Sequence, residues 1–365
     1  MSLIDPTHLQ RGLTLLALAL PLAACAQQEG EAAPGEDAAA AGAPSVEVVA
    51  NEAEQRVDVL VDGQLFTAYL FPSTIEKPVL YPIRSATGQT ITRGFPLDPM
   101  PGERVDHPHH VGLWFNYGDV NGLDFWNNSD DIPAARKARY GSIRHREIRG
   151  TESGAGEGVL EVTAEWVNNE GKALLREDTR FEFTADETAR NIDRITTLTA
   201  LDEPVVFTDN KEGVLGLRVT RALEHPATQP EIFTDASGKA TEVAVLNTVG
   251  VTGKSLTSVG IEGEAVWGTR AKWNSLSGIV DGAPVTVAIF DHPSNTGYPT
   301  YWHSRGYGLF AANPLAPQAM TEGDAEPLVI TLQPNESLTF RHRIAVIAGG
   351  ADAAGLETRY QAFAN

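Results

Sequence analysis

From residue 57 onward, apolar side chains recur at alternate positions, and this alternation constrains the fold more than any other feature of the chain. Val57, Val59 and Val61 alternate with Asp58 and Leu60, the period of a strand with one face against a core. Asp62-Gly63 then reads as a tight hairpin into 65–71, because both residue types tolerate the left-handed backbone such turns need. β-branched or aromatic runs recur at 79–83, 159–167, 179–183, 191–200, 205–208, 214–219, 285–290, 328–332 and 337–347. Gly, Pro, Asn and Asp punctuate them at turn positions. Only 352–363 has helical amphipathic spacing. The pattern predicts an all-β protein, a large antiparallel β-sandwich with one C-terminal helix. No Pro/Ser-rich linker interrupts residues 46–365, so they are read as a single domain.

The N-terminus reads differently. A stretch ending at Arg11 precedes an apolar run at 12–22 and then Ala23, Ala24 and Cys25. That run is too short to span a bilayer as a helix and suits a signal peptide. Leu22-Ala23-Ala24-Cys25 is similar to a bacterial lipobox, which would make 1–24 the signal and Cys25 the lipidated N-terminus. Cys25 is the only cysteine of the chain, so no intrachain disulfide can form. Residues 26–45 are Ala-, Gly-, Glu- and Pro-rich without aromatic or β-branched side chains, the composition of a flexible tether.

The formal charge is −20; the tether carries four acids and no base, leaving −16 on the body. A net-acidic body argues against nucleic acid and anionic lipid as partners, since both demand basic patches. It fits a solvent-facing protein handling neutral or cationic ligands. The membrane is therefore expected as a partner only through the lipid anchor. By resemblance to lipoprotein sorting, Ala26 rather than Asp after the cysteine favours the outer membrane, facing periplasm or cell surface.

Chemistry concentrates in two segments. Residues 102–128 hold three of the nine histidines, His107, His109 and His110, followed by Trp114, Phe115, Tyr117, Phe125 and Trp126, with Asp106, Asp119 and Asp124 among them. A core strand is not expected to tolerate such a cluster, so a site-bearing loop is. In an extended backbone His107 and His109 would share a face and His110 would point away. Pro108 fits an edge or a loop. Three readings stay open. Histidine can pass protons near neutral pH when an Asp orients its second nitrogen. His107, His109, His110 and His303 could ligate a divalent metal. The bland alternative is a set of hydrogen-bonded imidazoles packed beneath a loop.

Residues 290–313 carry Asp291, His292, His303 and Arg305 beside Tyr298, Tyr301, Trp302 and Tyr307. Aromatic faces next to polar groups hold sugars, the ring stacking and its hydroxyls taking the polar partners. An aromatic core with a hydrogen-bonded loop is the alternative. Asp106-His107-Pro108 and Asp291-His292-Pro293 echo each other. Glu212, at the entrance to the run 214–219, is either a general base or a solvated turn acid. Asn121, Asn127, Asn128, Arg144 and His145 are candidate supporting contacts. Arg93 and Arg104 flank Pro-rich turns, where a surface role is expected.

On the motifs DHPHH followed by Trp114, and DHP followed by YPTYWH, the chain resembles the bacterial PmoA family, also carried as DUF6807, across 57–347. The family name implies methane oxygenation, but no apolar run after Cys25 is long enough to be a membrane helix. The resemblance extends by analogy to galactose-mutarotase-like double sandwiches, in which a His acid and a carboxylate base work across a sugar's anomeric centre. It implies His107, His109 or His303 as acid and Glu212 or Asp124 as base.

The leading expectation is a periplasm-facing, carbohydrate-active enzyme acting on a saccharide or oxidised sugar by epimerisation, elimination or hydrolysis. Asp106 and Asp291 would orient the imidazoles. Trp114, Asn116, Trp126, Tyr301, Trp302, Arg305 and His292 would help to hold the ligand. No cofactor is required; a divalent metal belongs to the alternative of a His-ligated metal protein or oxidase. The other alternative is a non-catalytic glycan-binding lipoprotein that depends on Trp114 and Trp302. The lipobox predicts that cells fed labelled palmitate incorporate label into the wild-type chain, whereas Cys25→Ser is unlabelled and leaves the membrane fraction. Label retained by the variant would remove the anchor.

Overall fold

The computed structural model describes residues 42–365, and Gly42–Asn365 forms one compact unit. The signal peptide, Cys25 and all of the tether before residue 42 lie outside the described residues. Ser45, assigned from sequence to the tether, is the first residue of the opening strand Ser45–Asn51.

The described strands form one sixteen-stranded antiparallel sheet and a separate two-stranded ribbon, Val205–Thr208 with Val329–Leu332. The large sheet divides into two eight-strand layers joined at a narrow seam. One layer grows from a meander of consecutive strands, Ser142–Ala155, Glu157–Val167, Ala173–Ala185 and Ala189–Ala200. It continues through Ser337–Ala348, Ala283–Asp291, Trp273–Val280 and Lys254–Thr257. The other layer runs from Ser45–Asn51 through Arg56–Val61, Gln64–Leu70 and Val79–Ile83. It ends with Leu113–Tyr117, Gly213–Arg218, Leu309–Asn313 and the edge strand Tyr301–Arg305. Only two residue pairs, Ser45 with Ala155 and Val46 with Gly154, join the layers across the seam.

The layers pack face to face. Phe115 of the second layer meets Trp166 and Phe340 of the first at centroid distances of 6.4 and 5.6 Å. The main core draws on both layers, including Val59, Leu113, Phe115 and Leu215 from one and Trp166, Phe181, Ile289 and Ile344 from the other. The alternation read from sequence is therefore the inward face of each strand. The hairpin at Asp62-Gly63 has positive φ at both residues, +50° and +72°. A C-terminal helix, Ala353–Ala364, covers a smaller cluster with Leu356, Tyr360 and Phe363.

One expectation is corrected. The segment expected to be too rich in His and Trp for a core strand contains one, Leu113–Tyr117, buried at every position. Its two faces have different neighbours: Leu113, Phe115 and Tyr117 enter the main core, while Trp114 joins a separate cluster with Trp126 and Ala311. On this second face the register lines up Trp114, Gly216, Ala311 and His303 across four adjacent strands. The two small central residues leave room for the indoles. A Cβ at Gly216 would fall 2.4 Å from Cζ2 of Trp114 and 2.9 Å from Cη2 of Trp126.

Gly216→Ala is therefore expected to cost about 1–3 kcal/mol through overpacking, read as a lower urea midpoint with an unchanged m-value. An unshifted midpoint would show that the indoles can yield.

Candidate active site

The site begins with a buried arginine. Arg93 is 1% exposed, and its guanidinium gathers the carbonyls of Arg104, Asp106, His107 and His110 at 3.0–3.3 Å. It thereby folds 104–110 around itself. A proline turn forms within that wrap: the His110 N–H donates to the His107 carbonyl at 2.9 Å, with Pro108 at the second position. His107 sits at φ +43°, a conformation costly for a side chain of this size and tolerated where the surroundings hold it. The turn replaces the expected extended backbone. His107 stacks on His110, their rings 4.8 Å apart and within 4° of parallel, and meets His109 edge-on at 5.6 Å. His109 meets His110 edge-on.

Asp106 lies between Arg93 and Arg218. Its Oδ1 accepts from Arg93 Nη1 and, at 2.6 Å, from Arg218 Nη2, which is itself fully buried. Oδ2 faces Nδ1 of His107 at 3.1 Å. Burial alone would raise its pKa, but His107 and the two guanidinium groups outweigh this and hold the carboxyl well below its ordinary value of 3.8. Asp106 is thus a fixed anion behind His107. The surface roles expected for Arg93 and Arg104 are corrected: both are buried, and Arg104 is tied to Glu224 and Glu231 at 2.7 and 2.8 Å.

Above this base is a cavity of about 710 Å³. The segments near 107 and 303 meet in it: His107, His109, His110, Trp126 and Asn127 line it together with His303, Arg305 and Tyr307, and Lys211-Glu212 reach it from a third direction. Strand alternation decides which residues of the second segment arrive. His303 and Arg305, two apart on the edge strand, face the cavity. Trp302, between them, points into the main core and donates its indole N–H to the Ala271 carbonyl. A ladder of near-parallel rings rises from the interior: Trp114 under His110, His110 beside His107, and His107 against Tyr307, with successive tilts of 17°, 4° and 9°.

Burial fixes the protonation of most of these rings. His109, His110 and His303 are all held well below the ordinary imidazole value, chiefly by desolvation and further by nearby cations. They are neutral at pH 7. His107 differs in environment: its side chain is 39% exposed and backed by the Asp106 carboxylate. Glu212 lies with Oε2 3.6 Å from His303 Nδ1 and Oε1 3.4 Å from the Lys211 ammonium. Desolvation raises its carboxyl despite Lys211.

Several expected ligand contacts lie elsewhere. Trp114 is fully buried under His110, and Asn116 donates to the Phe125 carbonyl beneath the surface. Tyr301 packs with Ala316 and Met320. Asp124 spends its carboxylate on the backbone N–H groups of Trp126 and Asn127 and on the Asn127 amide, fixing the turn that delivers Trp126 to the cavity. The second Asp-His-Pro repeats the turn of the first, with Asn295 N–H donating to the His292 carbonyl. It does so away from the cavity. Asp291 there is buried, accepts from Asn295 and the Thr300 N–H, and is pushed up to about 7 by desolvation. His292 bonds Ser294 and abuts Phe363. The echo is one of local turn geometry.

Sequence reading passed over three contributors. His225 and Glu264 form the facing wall, with Nδ1 of the histidine 2.9 Å from the carboxylate. Lys77 is buried, donates to the His109 carbonyl at 2.8 Å, and is drawn down to about 7 by desolvation. None of them belongs to the DHPHH or DHP–YPTYWH motifs; only the fold brings them near. Among the described residues no group of three or more His, Cys, Asp or Glu side chains is arranged to hold a metal ion. No helix among the described residues is long and apolar enough to cross a membrane.

The chain belongs to the family of unknown function DUF6807, matched over residues 56–361. No curated protein matches it. Among solved structures it is similar to Slr1438 of Synechocystis sp. PCC 6803, at 12% identity over 83% of this chain and 96% of that one, with a TM-score of 0.29. It is also similar to galactose 1-epimerase from Lactobacillus acidophilus NCFM, at 10% identity over 84% and 99% of the two chains, TM-score 0.33. A galactose mutarotase related enzyme from Lactobacillus acidophilus matches at 9% identity over 84% and 97%, TM-score 0.27.

Asp106→Asn would leave two buried guanidinium groups without their anion. It is expected to cost about 3 kcal/mol at pH 7, as for other buried pairs deprived of one partner. Because the folded pKa lies below 3.8, the wild-type advantage is full above that pH and shrinks as pH falls through the acid range. Urea titrations at pH 7 and pH 3 measure the difference; an equal gap at both would rule out the ionised carboxylate as its source.

Proposed function

We propose that the protein is a carbohydrate-active enzyme in which His107 and Glu212 exchange protons with a saccharide bound in the cavity. The carrying observation is that one 710 Å³ cavity holds both an exposed imidazole backed by a fixed carboxylate and a desolvated glutamate. Such environments separate an acid from a base on one substrate. With Asp106 3.1 Å from Nδ1, the ring of His107 is oriented and Nε2 is left to face the ligand. Among the described residues Glu212 receives no side-chain hydrogen bond other than from Lys211, so its lone pairs are available to a sugar hydroxyl or carbon acid.

In the proposed cycle Glu212 accepts a proton from the substrate while His107 delivers one to the oxygen on which negative charge develops. In anomeric exchange or epimerisation, reversal of the two roles returns both groups to their starting states; in elimination, and in hydrolysis where Glu212 takes its proton from the attacking water, proton exchange with solvent restores them. His109, His110 and His303, held neutral, offer hydrogen bonds rather than charge. Tyr307 and Trp126 provide ring faces at the wall, suited to the apolar face of a pyranose. This chemistry serves epimerisation, elimination or glycoside hydrolysis. A purely binding protein that relies on Trp114 and Trp302 finds less support, because both indoles are fully buried. The periplasmic, lipid-anchored setting remains part of the proposal and depends on Cys25.

Assay of neutral and oxidised mono- and disaccharides for anomeric exchange, epimerisation, elimination and hydrolysis tests the reading. His107→Ala and Glu212→Gln should each lower kcat by about 10²–10⁴-fold while the protein stays folded. Because the Glu212 carboxyl is raised, the wild-type rate should fall on acidification at a pH above the ordinary glutamate value of 4.5. Turnover unaffected by either substitution would sink the proposal.

A further inference from the structure

Arg305 stands apart from the other cations near the cavity. Arg93 and Arg218 are tied to Asp106, and Arg104 to Glu224 and Glu231. Lys211 lies 3.4 Å from Glu212. Among the described residues, Arg305 alone of the cavity's Arg and Lys side chains has no carboxylate within ion-pair distance. Its guanidinium carbon lies 4.5 Å from the centroid of the Trp267 ring, a cation–π contact that positions the group. The backbone beneath is pinned as well. Gly308 N–H donates to the Arg305 carbonyl at 2.9 Å, and His225 N–H donates to the Gly306 carbonyl at 2.9 Å. A flat, unpaired guanidinium at a cavity wall is built to take a planar anion with two parallel hydrogen bonds.

Its position relative to the acid–base pair sets the size of that ligand. His303, 3.6 Å from Glu212, and Arg305 sit two residues apart on one strand face, so their Cα atoms are separated by about 6.6 Å. One pyranose ring spans a comparable length, so a single sugar could place its anomeric carbon towards Glu212 and its exocyclic carbon towards Arg305. We propose that the substrate is an acidic sugar, a uronic acid or related sugar carboxylate, whose carboxylate docks on Arg305. This rests on the reading of the cavity as a saccharide site and narrows it.

The whole-chain charge of −20 pointed instead to neutral or cationic ligands. Exposed acids more than about 8 Å away are largely screened at physiological ionic strength, so the groups lining the cavity decide. A single planar cation also matches a carboxylate monoanion better than a phosphate ester, which carries up to two negative charges and would meet Glu212 nearby without a second free cation.

Isothermal titration of the purified chain with galacturonate, glucuronate, their parent hexoses and the corresponding hexose 6-phosphates tests this. The wild type should bind at least one uronate about tenfold or more tighter than its parent hexose. Arg305→Gln should collapse that ratio towards one, and Arg305→Lys should restore only part of it. Equal affinity for hexose and uronate, a ratio unchanged in Arg305→Gln, or tighter binding of the phosphate would overturn the acidic-sugar assignment and leave the saccharide site standing. No binding of any sugar would bring down both.

Discussion

Everything around the cavity depends on one anion held between two buried guanidinium groups. Asp106 pairs with both Arg93 and Arg218, and Arg93 also turns its Nη donors to four backbone carbonyls. Those carbonyls belong to the turn that carries three histidines, so the position of every imidazole in that segment is a consequence of the ion cluster. Buried ion pairs give little net stability, because desolvation offsets attraction. Here the return is geometric: a strained His107 and a fixed orientation of its ring. The cluster spans three stretches of chain, at 93, 106 and 218, which ties the strand Gly213–Arg218 to the turn and fixes the height of the cavity floor.

The second organising device is parity. A strand shows opposite faces at successive residues, and the last four strands of the site layer use this to separate core from chemistry. Phe115, Leu217, Phe310 and Trp302 face the sandwich, while Trp114, Gly216, Ala311 and His303 form a row on the other side. A large indole at one end of that row is compensated by two small residues in the middle. The imidazole at the other end lies at the cavity wall beside Trp126.

Much of this architecture was legible in the sequence. Period-two runs from Val57 to Ile347 announced the strands, and Asp62-Gly63 announced its turn, because local backbone preference and burial agree there. The meeting of His107 with His303 was also legible, since scarce residue types clustered at both places. The faces were not. Trp114 and Trp302 look like sugar platforms as residue types, but alternation within short, wholly buried strands sends them inward, and such strands lack the polar positions that reveal phase. Arg93 was misplaced for a related reason: next to prolines an arginine is ordinarily solvated, and nothing local shows that Asp106 and four carbonyls await it. His225, Glu264 and Lys77 lie outside the two His-rich motifs and are brought to the site only by long-range pairing.

The seam between the layers has a topological consequence. The strand Ser45–Asn51 lies in mid-sheet, bonded to Arg56–Val61 on one side and, through two residue pairs, to Ser142–Ala155 on the other. This first described strand is thus a keystone. Cutting it away would create two open borders at once, one on each layer, with unpaired backbone groups of the kind that recruit strands from other molecules.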